Sequence, residues 1–227
     1  MIQDFIALIY PRHCIACENS LYKHEEQVCN YCMINLPKTN FHKNDKNPVD
    51  ILFYGRTPVK FASSFYMFTK KGGVQKILHS IKYKQNKKLA EMVGNWFAID
   101  LKNDPIINTA DFIVPVPLHS KKMKTRGFNQ SEEFGKGLAN GLKVPLNTNV
   151  LIRSGFTNTQ TKKSKYERWE NVENKFELSN VEEFRNKHII IVDDVITTGA
   201  TIEACCAVLQ QIEGIQISVL SIAYASQ

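Results

Sequence analysis

Ile189-Ile190-Ile191-Val192-Asp193-Asp194-Val195-Ile196-Thr197-Thr198-Gly199-Ala200-Thr201 runs from apolar sequence into charge, then into hydroxyls and glycine. Its first four residues favour β-structure and show no polar alternation. That pattern predicts a strand from Ile189 to Val192, buried on both faces of a parallel sheet and ending at two adjacent carboxylates. Beyond it Ala204, Ala207, Val208 and Ile212 recur at helical spacing, which predicts a helix from Ala200 to Ile212. In an open α/β sheet ligands gather outside the carboxyl ends of the strands, and the loop between these two elements must lie there.

The loop's residues suit a sugar phosphate. Gly199 allows backbone angles closed to other residues, so the chain can curl and bring its amides towards an anion. A helix N-terminus leaves up to four amides unpaired and carries roughly half a positive charge, which favours a phosphate monoester. Thr197, Thr198 and Thr201 add hydroxyl donors. Asp193 and Asp194 would repel the same phosphate, so they face another part of the ligand, either vicinal hydroxyls or a divalent cation bridging hydroxyls and pyrophosphate. A plain Asp-rich turn with a capping threonine needs one such residue, not this many.

The segment resembles the phosphoribosyl pyrophosphate (PRPP) signature of type I phosphoribosyltransferases. The resemblance implies that Asp193 and Asp194 bind ribose hydroxyls, and that Val195, Thr197, Thr198, Gly199, Ala200 and Thr201 surround the 5-phosphate.

At 227 residues the chain can hold one α/β domain and a small appendage. Apolar content of 43% and charged content of 22% are those of a globular protein. No apolar run approaches the ~20 residues needed to cross a bilayer. Met1 to Tyr10 lacks a basic n-region and carries Asp4, unlike a signal peptide, so the cytoplasm is expected. Ile2, Phe5, Ile6 and Ile9 predict a short amphipathic helix there.

The formal charge is +7 and the pI about 9.0. Basic residues cluster at Lys82 to Lys88, Lys121 to Arg126 and Lys162 to Arg168, each in a stretch that reads as a loop or loop edge. Gathered at one end of a sheet, such loops attract polyanions; scattered solvated lysines are the plain alternative. Tyr83, Phe128, Tyr166 and Trp169 interleave with them, and stacking plus charge holds single strands without sequence readout.

Cys14 and Cys17 form one C-x-x-C pair and Cys29 and Cys32 a second, eleven residues apart. Two such knuckles make a tetrahedral zinc site, here a structural one, with His13 outside the coordination shell. Disulfides are disfavoured under reducing conditions, and redox catalysis needs only one such pair. So small a ribbon lacks a core of its own. Zinc supplies on the order of 10 kcal/mol in such peptides, so folding there should require metal. Cys205 and Cys206 read as core packing.

The rest of the chain alternates strands and helices, which predicts a parallel sheet with right-handed crossovers. A half-exposed strand is expected at Val59 to Phe68, helices at Val74 to Lys82 and Lys87 to Lys102, and a strand at Asp111 to Val116. A helix follows at Gln130 to Leu142, and further strands at Val150 to Arg153 and Ile217 to Ala223. The expected organisation is an N-terminal helix and zinc ribbon over 1–39, a linker over 40–58, and a phosphoribosyltransferase-like α/β domain over 59–227.

Val114 to Gln130, Val-Pro-Val-Pro-Leu-His-Ser-Lys-Lys-Met-Lys-Thr-Arg-Gly-Phe-Asn-Gln, narrows the resemblance. It is similar to the signature of the ComF family of competence-associated proteins, relatives of the gluconate-utilisation homologues. Gln160, Arg168, Asn171 and Phe176 fall in the order of that family's later pattern, Ile81-Lys82 with Leu89-Ala90 resembles its lysine segment, and a four-cysteine ribbon is its companion. Lys163 stands where an apolar residue is more usual.

By this resemblance Lys82 and Lys84 serve pyrophosphate, and Arg126 to Gln130 form a closing loop in which Arg126 grips phosphate oxygens with its planar fork. Catalysis would fall to Asp193, Asp194 and Arg126, with Mg2+ accompanying PRPP. The family implies single-stranded DNA as a partner and a competence helicase beside it. The candidate contacts are Lys121, Lys122, Lys124, Arg126, Asn129, Gln130, Lys162, Lys163 and Arg168. Asn129 also reads as an N-cap, and His119 as a solvated side chain. Two functions are therefore expected: a PRPP-binding protein serving DNA uptake, or an active phosphoribosyltransferase on an unidentified acceptor. No base-selecting hood is visible in the sequence.

Overall fold

The structure, a computed structural model, describes residues 11–44, 46–153 and 176–226. The expected helix of Ile2 to Ile9 and the basic run Lys162 to Arg168 lie outside them, with Gln160 and Asn171.

Strands β1 (Phe61–Met67), β2 (Phe112–Pro115), β5 (His188–Ile196) and β6 (Gln216–Tyr224) form a parallel sheet in the order β1-β6-β5-β2. The apolar run of β5 alternates between two cores. Ile190 and Val192 pack with helices α3 (Gly73–Tyr83), α4 (Lys87–Leu101) and α6 (Gln130–Leu142). Ile189 and Ile191 pack with α2 (Pro48–Phe53) and α7 (Ala200–Leu209). All four side chains are fully buried, as an unalternating strand requires. Helices α4 and α6 cross closely because a Cβ on Gly94 would stand 2.2 Å from the Phe134 carbonyl oxygen.

Several expectations change. The strand at Val59 to Phe68 is not half-exposed: Ala62 to Tyr66 are buried on both faces. The segment after helix α1 (Asn30–Asn35) also runs along the free edge of β1, with Met67 donating to the Pro37 carbonyl at 2.8 Å and Thr39 to that of Phe65 at 2.9 Å. An edge strand covered in this way has no exposed ladder. Residues 40–58 carry a 3-10 turn and α2. Phe41, Val49 and Phe53 are buried there, and Asn47 Nδ2 donates to the Ala62 carbonyl at 2.8 Å.

Val150 to Arg153 does not join the sheet. Leu151–Arg153 (β3) pairs antiparallel with Phe176–Leu178 (β4) as a separate ribbon. Lys121 to Arg126 is not a loop but lies in a helix, α5 (Ser120–Arg126), none of whose residues is buried. The strand expected to stop at Val192 continues through both aspartates to Ile196, held by register with Ser221, Ala223 and Tyr224 of β6. Helix α7 ends at Leu209 rather than Ile212.

Candidate functional site

The last turns of β5 carry Asp193 and Asp194 to the carboxyl end of the sheet. Asp193 Oδ1 accepts from Ser131 Oγ at 2.9 Å and from the Asp194 amide at 2.8 Å. Asp194 Oδ2 stands 3.1 Å from Lys82 Nζ, the two side chains 15% and 20% exposed. Burial first, and the Asp194 charge second, push the Asp193 carboxyl up to about 7, against the pull of the Asp194 amide, Ser131 and Lys82. Asp193 thus titrates near neutrality.

The following loop is open. Thr197, Thr198 and Thr201 are exposed. Gly199 sits at φ +80°, and a Cβ there would stand 2.9 Å from the Phe53 ring, so both conformation and space call for glycine. It is also the N-cap of α7 and supplies no capping side chain. Thr198 Oγ1 accepts from the Ala200 amide in the first turn at 3.4 Å. Glu203 in that turn would oppose an anion, but Arg56 pairs with it at 2.8 Å. Beside the loop a cavity of about 440 Å3 is lined by Phe68, Leu78, His79, Lys82, Tyr83, Asp194 and Thr197.

The remaining predicted residues divide. Arg126, at the end of α5, donates to Gln130 Oε1 at 2.8 Å and lies 5.9 Å over the Tyr83 ring. Gly127 then turns the chain at φ +76°. Asn129 and Gln130 are 7% and 1% exposed. Asn129 caps α6 by accepting from the Ser131 amide at 3.1 Å and donates to the Val116 carbonyl at 3.0 Å, while Gln130 donates to the Phe128 carbonyl at 3.2 Å. Both pin the start of α6, which places Ser131 on Asp193, and neither faces solvent. Lys84, Lys121, Lys122 and Lys124 are exposed. His119 caps α5, its Nδ1 accepting from the Lys121 amide at 3.1 Å. Lys162, Lys163 and Arg168 lie outside the described residues.

Sequence reasoning missed Ser131, Phe53 and Arg153. Ser131 emerges only once the strand order sets α6 beside β5, and Phe53 only once α2 exists. Arg153 ends a strand read as ordinary. Burial holds its guanidinium below the usual range, against the nearby charges of Cys205 and Asp193.

The sulfurs of Cys14, Cys17, Cys29 and Cys32 lie within 4.8 Å of one another, and none is in a disulfide. A zinc–thiolate tetrahedron with bonds of about 2.3 Å has edges of about 3.8 Å; Cys17 and Cys29 are 3.7 Å apart. The Cys29 amide donates to Cys14 Sγ at 3.3 Å and the Cys32 amide to Cys29 Sγ at 3.4 Å. Among the described residues the buried Tyr66 hydroxyl has no partner, and burial foremost, then Asp100 and Cys32, raises it above the usual phenol range. These donors fit a metal ion, with outer hydrogen bonds in place. His13 bonds the Glu18 carbonyl and stands outside the cluster. Cys205 and Cys206 are buried in α7.

The phosphoribosyl transferase domain family matches residues 129–225, the part of the chain that holds the carboxylates and the threonine loop. Competence protein F of Haemophilus influenzae is 32% identical over 127 residues, 56% of each chain. Over that span the chain is similar to this competence protein. DNA utilization protein YhgH of Escherichia coli strain K12 is 29% identical over 129 residues, again 56% of each. The chain thus spans about half the length of these relatives. A solved adenine phosphoribosyltransferase aligns with 63% of this chain and 73% of its own at 22% identity and a TM-score of 0.40.

Proposed function

We propose that the chain binds PRPP or a related ribose phosphate at Asp193 to Thr201 and serves the handling of single-stranded DNA during DNA uptake. One observation carries the first part: Asp193, Asp194, Lys82 and the glycine-capped start of α7 converge at the carboxyl end of β5. The carboxylates accept from the ribose diol, the loop amides and threonines take the 5-phosphate, and Lys82 offsets the charge between them. Mg2+ would enter with the diphosphate, and zinc would fill the four cysteines. The names of the relatives and the exposed lysines of α5 support the DNA part. With Asn129 and Gln130 turned inward, its contacts reduce to Lys121, Lys122, Lys124 and Arg126 with Lys162, Lys163 and Arg168. The partition into a ribbon over 1–39, a connecting segment over 40–58 and a transferase-like domain over 59–227, a cytoplasmic location and a competence helicase partner belong to the same reading. Among the described residues no helix is long and apolar enough to cross a membrane.

The 440 Å3 cavity beside Asp194 favours a second reading, an active transferase. Its walls of Phe68, His79 and Tyr83 give an acceptor ring room next to the ribose. Asp193 and Asp194 would hold the diol while Lys82 and Arg126 stabilise departing pyrophosphate, so that catalysis rests on preorganised charge. Incubating the metal-loaded protein with PRPP, Mg2+ and a panel of ring-nitrogen acceptors separates the two readings. Acceptor-dependent release of pyrophosphate establishes the transferase; binding without release leaves the ligand-binding role.

A further inference from the structure

We propose that the four-cysteine cluster, acting through α3, sets the position of Lys82, so that metal loading of the ribbon tightens the site at Asp194. The effect on ligand affinity rests on the ribose phosphate reading above.

The ribbon is the outer wall of α3. A Cβ on Gly73, the first residue of that helix, would stand 2.9 Å from Leu36 Cδ2 and 3.1 Å from Ala16 Cβ. Glu18 pairs with Lys76 of α3 at 3.0 Å, Glu26 pairs with Lys88 at 2.8 Å beyond the α3–α4 turn, and Asn86 within that turn donates to Gln27. Cys14, Cys32 and Leu36 share one core with Val74, Ile77 and Ile81. A second contact runs through the sheet: Tyr66 shares that core with Cys32 and pairs with Ala223 of β6.

These contacts bind α3 along one side from its first residue to the turn beyond its last, while the helix carries Lys82 to Asp194 in its final turn. The ribbon has little apolar interior apart from what it shares with α3. Without metal, the four sulfurs lose the bonds that hold its knuckles together, and the wall behind α3 loosens. Lys82 then wanders from Asp194, leaving two adjacent carboxylates that repel an anionic sugar phosphate. Losing one such charged contact is worth roughly tenfold or more in affinity.

The test uses the full chain under reducing conditions, metal-loaded or stripped by chelator, with hydrogen exchange and calorimetry against PRPP with Mg2+ after the chelator is removed. On stripping, amides 77–83 should exchange at least about tenfold faster while those of β5 keep their rates, and PRPP affinity should fall at least about tenfold. Lys82→Ala should bind weakly and equally with or without metal. Gly73→Leu, which forces the ribbon off α3 with the cysteines intact, should mimic stripping, and it decides the matter should stripping unfold the whole chain. Unchanged exchange in α3, or Gly73→Leu binding as wild type, overturns the proposal. If the loaded protein ignores PRPP while α3 still loosens, the ribose phosphate reading fails and the link from metal to Lys82 stands.

Discussion

Asp193 is the most informative single residue, because its carboxyl is held near neutrality by burial and by Asp194. A diol is best accepted by the ionised form, so affinity for PRPP should rise between pH 6 and pH 8 and level off above. Asp194→Asn removes the neighbouring charge and should move that rise to lower pH; calorimetry across this range checks both. Folding stability runs the other way. Since the folded pKa is raised, the residue's contribution is fully present below the unfolded value near 4 and is lost as pH rises through about 7. Gly199 is equally exacting. Gly199→Ala must hold a positive φ and press a methyl on Phe53, so denaturant unfolding should show a loss of about 1–3 kcal/mol. At this scale the four cysteines cluster as their spacing predicts, while β5 carries both aspartates within the strand instead of beyond its end. Ser131 was not legible, since a serine after an N-cap asparagine reads as ordinary helix start until the sheet order sets it against Asp193.

At the scale of elements the reading was mixed, for physical reasons. Strands with continuous apolar runs and helices with clear periodicity came through, because burial on both faces leaves few alternatives. Helix α5 did not, since a seven-residue helix with no buried residue has no apolar stripe to betray it. Helix α2 was hidden by the polar Asn40 to Asn47 stretch ahead of it. The separation of β3 and β4 from the sheet depends on pairing partners that no local pattern reveals. Two predictions belong here. Replacing Lys121, Lys122 and Lys124 by glutamate should weaken single-strand binding and flatten its salt dependence by a slope of about two while leaving PRPP binding intact; anisotropy at several salt concentrations decides it, and unchanged binding excludes α5. Asn129→Ala removes a cap and a buried bond to Val116, so thermal unfolding should show a loss of about 1–2 kcal/mol with Ser131 freed from Asp193.

For the molecule as a whole, the parallel sheet gathers its functional parts from distant sequence. Lys82, Ser131 and Asp193 meet at one edge although 111 positions separate the first from the last. The ribbon is joined to α3 and β1 by a common core, so chelation of the metal-loaded protein should loosen α3 along with the ribbon while β5 stays protected. The central claim is the ribose phosphate site, and titration calorimetry of the metal-loaded chain with PRPP and Mg2+ tests it most directly. Saturable binding of one ligand per chain is expected, weakened about a hundredfold or more when Asp193→Asn and Asp194→Asn are combined. No saturable heat, or equal affinity in that double variant, would contradict it.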